Sequence, residues 1–276
     1  MQSIVAEEIK DFDTSLDRLW ARRDLVVVAT GALICFRSIY RRALQIGALE
    51  RFRYAAVRAE GYVLGTAEEA IRDAVLDAAH LPGARAVVIY LSCLDILTRL
   101  DFADIEHMLS AETDCTVRCF FRGPLAKADG IRHETVEELL ATLPPKDGVI
   151  TASAQLPPPM SDTAGVSDFL QEDGAAQVLV TPSGCRNALV RMDLMSERSD
   201  IYALIPKPED YIFGIEETAA AETGALAATG AYRTIHLLSS PVPAFMAMET
   251  TPVLQAAEEH GCRACASPTD GFHDAV

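Results

Sequence analysis

The sequence predicts an α/β protein made of two similar, doubly wound, mostly parallel-sheet domains, and three observations carry that prediction. Strand-like apolar runs alternate with amphipathic helix-like runs, the pattern of a parallel sheet covered on both faces. The same order of runs occurs twice, on either side of a proline-rich stretch. Landmarks of the two halves keep a nearly constant spacing: Cys35 and Cys185 lie 150 residues apart, Gly65 and Gly214 149, Cys93 and Ser240 147, and Phe121 and Phe272 151. A duplicated domain holds such an offset, since every repeat must place the same elements in the same order.

In the first half "DLVVVAT" is a strand, a run of β-branched residues with no polar face. "RSIYRRALQIGALERF" follows as helix, "YAAVRAEGYVLG" as one or two strands and "TAEEAIRDAVLDAAH" as helix. Then come strand "ARAVVIYLSC", helix "FADIEHMLSAET" and strand "CTVRCFF". The second half repeats this with strand "AAQVLVTPSGC", helix "RNALVRMDLM", strands "SDIYALI" and "DYIFG" and helix "IEETAAAETGALAATG". Strand "YRTIHLLSS", helix "TPVLQAAEEHG" and strand "CRACASP" complete it. Between the halves, "LATLPPKDGVITASAQLPPPMSDTAG" carries five prolines and sustains no helix. The expected domains are therefore 1–142 and 166–276, with a linker over 143–165. The pairs Glu68–Glu69 and Glu216–Glu217 fall at helix starts, where the helix dipole favours acid without any catalytic role.

Composition narrows the function classes. A chain of 276 residues, half of them hydrophobic, is long enough for sizeable cores. Forty acidic against 24 basic residues give a net charge of −16, which repels nucleic-acid phosphates. The one dense basic run, "RSIYRRALQIGALERFR", reads as a solvated helix face, with docking of an acidic partner or steering of an anion as the alternative. No apolar run reaches 18 residues and the N-terminal "MQSIVAEEIKDFD" is acidic, so the expectation is a cytoplasmic protein without membrane contact. Seven cysteines, an odd number, argue against a disulfide framework and leave structural thiols, redox chemistry or metal ligation. Neither a P-loop nor GxGxxG occurs, so any ATP used belongs to a partner.

Ligands of open parallel sheets collect outside the carboxyl ends of the strands, where loops converge and helix N-termini point their positive ends. Cys35, Cys93 and Cys185 all fall at such ends, and Ser240 takes the fourth equivalent place. Cys115 and Cys119 sit at the start and middle of a strand. Cys262 and Cys265 of "CRAC" lie within another strand, where alternation sends them to opposite faces, and core packing accounts for them better than a redox or zinc pair. His273 ends a strand and is either a surface residue or one that approaches the crevice.

The succession "TPSGC", "DYIFGIEE", "LLSSP", "TDGFH", matched in the first half by "TGALIC", "GYVLGTAEEAI", "IYLSCLDI" and "VRCFFRG", resembles the first domain of the nitrogenase component 1 family. That family includes dinitrogenase subunits, their cofactor-assembly homologues, dark-operative protochlorophyllide reductase and the nickel-tetrapyrrole reductive cyclase. The resemblance implies two such domains facing each other across a pseudo-two-fold axis, with strand-end cysteines holding an iron-sulfur cluster of the four-iron (4Fe-4S) type between them. Cys35 and Cys185 match the "GC" cysteine of each half and Cys93 the cysteine after the third strand, while Ser240, followed by Pro241, stands where the second half should have its own. The implied metal ligands are then Cys35, Cys93 and Cys185, with Ser240 as an oxygen ligand or one site left exchangeable. Electrons would come from an ATP-dependent iron-protein-like reductase, and a further component-1-like subunit or a second copy of the chain is the other implied partner.

The chain departs from the family pattern in two ways. No cysteine precedes the "GC" position in residues 1–34 or 151–184. Family members also continue past "TDGFH" into further α/β domains, whereas this sequence stops at Val276, which implies a fused pair of cluster-binding domains without the usual substrate cavity. Two functions follow: an oxidoreductase subunit that relays electrons through the cluster, or a non-catalytic scaffold or assembly protein that receives or hands on a metal cofactor, including a cluster-free relative.

Overall fold

The computed structural model describes residues 2, 3, 16–121, 134–145, 147–156, 170, 172–182 and 200–272. The chain divides into two compact units, Asp11–Pro159 and a second that joins Met1–Lys10 to Met160–Val276. A short strand β1 (Gln2–Ser3) belongs to the second unit and is taken up with it.

The first unit is built on β2 (Leu25–Gly31), β3 (Phe52–Ala56), β4 (Ala86–Tyr90) and β5 (Thr116–Phe120), all parallel in the order β3-β2-β4-β5. The valine run of β2 is buried along its whole length, because each face meets a different layer. Val26 and Val28 point to α4 (Ala67–Ala79) and α6 (Phe102–Glu112), packing with Ile71, Val75, Ala78, Ile105 and Leu109. Each such aliphatic side chain contributes about 1.5–3 kcal/mol when fully buried. The alternate residues face the other layer, where α1 (Asp17–Ala21) packs against α7 (Val136–Ala141). Leu19, Trp20 and Leu139 are buried there, and Arg118 of β5 ties α7 down by donating to Glu134 (3.0 Å) and Thr142 (2.6 Å) at its two ends. Between β2 and β3 runs α2 (Arg37–Gln45), which buries Ile39 and Ala43.

The second unit repeats the plan with β6 (Ala175–Val180), β7 (Ile201–Leu204), β8 (Thr234–Ser239) and β9 (Arg263–Ser267). Its order is β1-β7-β6-β8-β9, parallel except for β1, which lies antiparallel on β7. Without β1 this is the order of the first sheet, strand for strand. One face packs on α9 (Glu216–Ala227) and α11 (Thr251–Glu258) through Ala219, Ala227, Val253 and Ala257; the other carries Leu179, Ile201, Ala203 and Leu238. The molecule is thus an α/β protein of two similar domains.

Three expectations change in detail. "GYVLG" and "DYIFG" are helical turns, α3 (Ala59–Leu64) and α8 (Asp210–Phe213), each closed by a positive-φ glycine, Gly65 at 77° and Gly214 at 112°. Their β-branched and aromatic residues suggest strands, but strand propensity reflects packing on a pleated surface, and here Val63, Leu64, Ile212 and Phe213 are largely exposed. The first part of the expected linker belongs to the first unit: Ile150 N–H donates to Arg23 O (2.9 Å), and Gly148 lies so close to Gly83 that a Cβ would sit 2.3 Å from its carbonyl oxygen. Phe121 directly follows β5 whereas Phe272 lies five residues beyond β9, so that landmark pair is out of register. Cys115 and Cys262, each buried one residue before its strand, are the matched pair instead. The helix expected over "RNALVRMDLM" lies outside the described residues. Among the described residues no helix is long and apolar enough to cross a membrane.

Candidate functional site

The carboxyl ends of β2 and β4 meet at Gly31. Its φ is 113°, and a Cβ built on it would fall 2.7 Å from Cβ and Oγ of Ser92 and 3.2 Å from Cβ of Cys35. A residue without a side chain is what lets the two corners close. Beyond Gly31 the chain makes a tight 3-10 turn, Leu33–Phe36, which carries Cys35 and is held by its N–H donating to Ala32 O (2.8 Å). On the other side Ser92 caps α5 (Cys93–Leu97), so Cys93 is the first residue of that helix. Cys35 and Cys93 are both half-buried.

Beneath these corners lies Asp95, with no exposed surface. Its carboxylate accepts hydrogen bonds from the Ser92 N–H (2.7 Å), the Ser92 hydroxyl (2.7 Å), the Tyr62 phenol (2.8 Å) and the Thr30 hydroxyl. One group thereby ties the end of β2, helix α3 and the end of β4. Burial pushes the Asp95 pKa up, and the hydrogen bonds from Thr30 and Ser92 oppose that rise. The same burial, reinforced by the charge of Asp95, pushes the Tyr62 phenol up. Tyr62 therefore stays a donor, and Asp95 acts as a positioning group for the loop of Cys35 and the helix of Cys93.

The remaining described thiols of this unit are structural. Burial raises Cys119 well above an ordinary thiol, helped by the charges of Glu106 and Asp95, and burial likewise raises Cys115. The basic run has in part a structural use. Arg51 is buried and donates to Trp20 O (2.7 Å) and Arg22 O (2.5 Å), Arg53 pairs with Asp77 (3.1 Å), and Arg42 pairs with Asp17. Glu68, Glu69, Glu216 and Glu217 stand in the first turns of α4 and α9, as their spacing indicated.

In the second unit β6 leads through the buried Thr181 toward Cys185, which lies outside the described residues, as does His273. The ladders register Ser240 one residue away from the pairing made on sequence. Leu25 pairs with Ala86 in the first sheet and Ala175 with Thr234 in the second, which sets Ser240 against Ser92. Both serines stand at the N-cap position of the short helix after the third strand, α5 in one unit and α10 (Pro241–Phe245) in the other, and only Ser92 makes the capping hydrogen bond. Pro241 then occupies the place of Cys93 and Pro243 that of Asp95, so the second unit lacks the buried carboxylate. Ser240 is 3% exposed, and its hydroxyl has no hydrogen-bond partner among the described residues.

The structure therefore sets Cys35 beside Ser92 at Gly31, places Cys93 next to Ser92 in the chain as the first residue of α5, and puts Ser240 in the other unit. Among the described residues no group of three or more His, Cys, Asp or Glu side chains is set to hold a metal ion. Sequence reading passed over Asp95, although "SCLD" has the S-x-x-D form of a capping box. It also passed over the exposure of Val63 (76%), Leu64 (75%), Ile212 (77%) and Phe213 (87%), which matched helices of the two halves present to solvent.

No family model and no curated protein matches the chain. Among solved structures, a complex of VinN with L-aspartate is similar over 88% of this chain at 12% identity and a TM-score of 0.26, and the chain spans 62% of that structure's length. A likeness at that level carries neither a fold nor a ligand across.

Proposed function

We propose that this chain is a nitrogenase-component-1-like iron-sulfur protein of the cytoplasm, which holds a four-iron cluster between strand-end loops of its two halves. It relays electrons from an ATP-dependent iron-protein-type reductase into a reduction carried out with a further subunit or a second copy. The observation that supports this reading is that two half-buried thiols, Cys35 beside Gly31 and Cys93 at the start of α5, follow strands at the carboxyl edge of a sheet whose strand order recurs in the other half.

Cys35, Cys93 and Cys185 would supply thiolates, the usual holders of such clusters, and Ser240 an oxygen. Two of these thiols stand at the described edge, which fits half of a shared site but does not complete one. When bound, the cluster stores and passes on single electrons. The chain's own part is positional: Gly31 closes the corner, and Asp95 fixes the two segments that bear the thiols. The apolar pairs on α3 and α8 support a docking role, because large exposed hydrophobic residues repeated at matched places suit a partner's surface.

A scaffold that receives and hands on a cluster is the second reading. Its support is that the two described thiols of the ligand set, Cys35 and Cys93, are half-exposed. Anaerobic reconstitution followed by iron and sulfide assay and paramagnetic resonance tests for the cluster. Adding an iron protein with ATP then separates the readings, since a relay is reduced and a scaffold is not. Protein that stays colourless and iron-free after reconstitution would falsify both.

A further inference from the structure

The outer face of the second sheet carries a thiol, an imidazole and a carboxylate in line, none of which the strand-end reading uses. His236 of β8 and Cys265 of β9 are register partners on adjacent strands, with Sγ 3.0 Å from Nδ1. On the other side of the ring, Nε2 lies 3.8 Å from Glu172 Oε1 and has no hydrogen-bond partner among the described residues, although His236 is only 7% exposed. Glu172 is itself held by Arg263 at 2.9 Å. Cys265 is exposed on an edge strand, whereas Cys262, on the opposite face, is buried with its thiol on Tyr232 O (3.2 Å).

We propose that Cys265 Sγ and His236 Nδ1 are the two protein ligands of a site for a thiophilic metal ion of the Zn(II) or Cu(I) class, with the Glu172 carboxylate facing the second ring nitrogen across 3.8 Å and closing on it when the metal binds. Thiolate and imidazole are the ligands such ions select, and a carboxylate on the second ring nitrogen is the usual way a ligating histidine is oriented. Metal–sulfur and metal–nitrogen bonds of about 2.3 and 2.1 Å at a tetrahedral angle need the two atoms roughly half an ångström further apart than now. A side-chain rotation of the exposed Cys265 supplies that. Nδ1 is the ring nitrogen that faces the thiol, at 3.0 Å from Sγ. Metal binding displaces one proton from the thiol to solvent, and water or a group from another molecule fills the remaining positions.

The site belongs to this half alone. The corresponding residues of the first sheet are Val88 and Arg118, and Arg118 is bonded into α7. It is also independent of the strand-end cysteines, so it stands or falls separately from the cluster.

The test is alkylation of the full chain by iodoacetamide with and without Zn2+, read by mass spectrometry on the C-terminal tryptic peptide 264–276, in which Cys265 is the sole cysteine. Zn2+ should slow alkylation of Cys265 about tenfold or more, and Glu172→Gln should raise the Zn2+ concentration needed by about tenfold. His236→Asn should abolish the protection while circular dichroism stays unchanged. If that variant does not fold, Cys265→Ser should instead bind one equivalent of Zn2+ fewer than the wild type. Alkylation indifferent to Zn2+, protection that persists in folded His236→Asn, or an unchanged Zn2+ stoichiometry in Cys265→Ser overturns the proposal.

Discussion

The two halves share a strand order but line the same sheet face with different side chains. In the first, the row Val27, Val88 and Arg118 lies under α1 and α7; in the second, the matched row is Gln177, His236 and Cys265, and Cys265 is exposed. At the strand ends the contrast runs the other way, with the first half tying its corners through Asp95 where the second has Pro243. The two halves share ladder order, and they differ in the side chains along one sheet face and at the strand ends.

Breaking the Gly31–Asp95 corner should give the largest effect. Gly31→Ala forces a side chain into a positive-φ position against Ser92 and should cost about 3 kcal/mol or more. Asp95→Ala removes the acceptor shared by the Thr30, Tyr62 and Ser92 hydroxyls and the Ser92 N–H, with Tyr90 O (3.3 Å) still open to Thr30, and should cost a similar amount, about 3 kcal/mol. In the second half Pro243→Ala, at the matched place, should cost about 1 kcal/mol or less. Urea unfolding read by the fluorescence of Trp20, the sole tryptophan, for the first unit and by amide exchange of β6 and β8 for the second measures the two costs separately. Equal costs in the two halves would erase the claimed difference between their corners.

The helix-covered core and the exposed edge strand come next. Leu139→Ala opens a cavity beneath α7 and should destabilise by about 2–5 kcal/mol, whereas Cys265→Ala on the exposed edge should stay within about 0.5 kcal/mol.

The smallest expected effect is one of sign with pH. Asp95 has its folded-state pKa raised above 3.8 by burial, so the stability it contributes is full below that value and is lost as pH rises through the folded value. His236 is lowered below 6.5 by burial, so its contribution is present above 6.5 and lost as pH falls through the folded value. Amide exchange of the two sheets across pH should therefore show opposite slopes from these groups. Asp95→Asn should flatten the first and His236→Asn the second, and slopes indifferent to both substitutions would remove the two groups from the account.

Much of this architecture was legible because the strands are continuous β-branched runs buried on both faces, a pattern with few other uses. The misreadings have physical causes. "GYVLG" and "DYIFG" have strand composition, but one helical turn closed by a glycine costs little, and composition does not tell whether a residue finds a partner. Ser240 was aligned with Cys93 on chemical likeness, whereas the hydrogen-bonded ladder aligns it with Ser92. The capping signature of "SCLD" could be read, yet its burial beneath Tyr62 depends on a helix 33 residues earlier in the chain. The exposure of Cys265 depends on what does not pack over β9, which no local pattern encodes.

The account rests on thiols from both halves serving one site. Iron and acid-labile sulfide per chain, measured after anaerobic reconstitution of the wild type and of Cys35→Ala, Cys93→Ala and Cys185→Ala, tests this most directly. The expected result is a cluster in the wild type that each single variant loses or alters in its resonance spectrum; iron and spectrum unchanged in Cys185→Ala would contradict it.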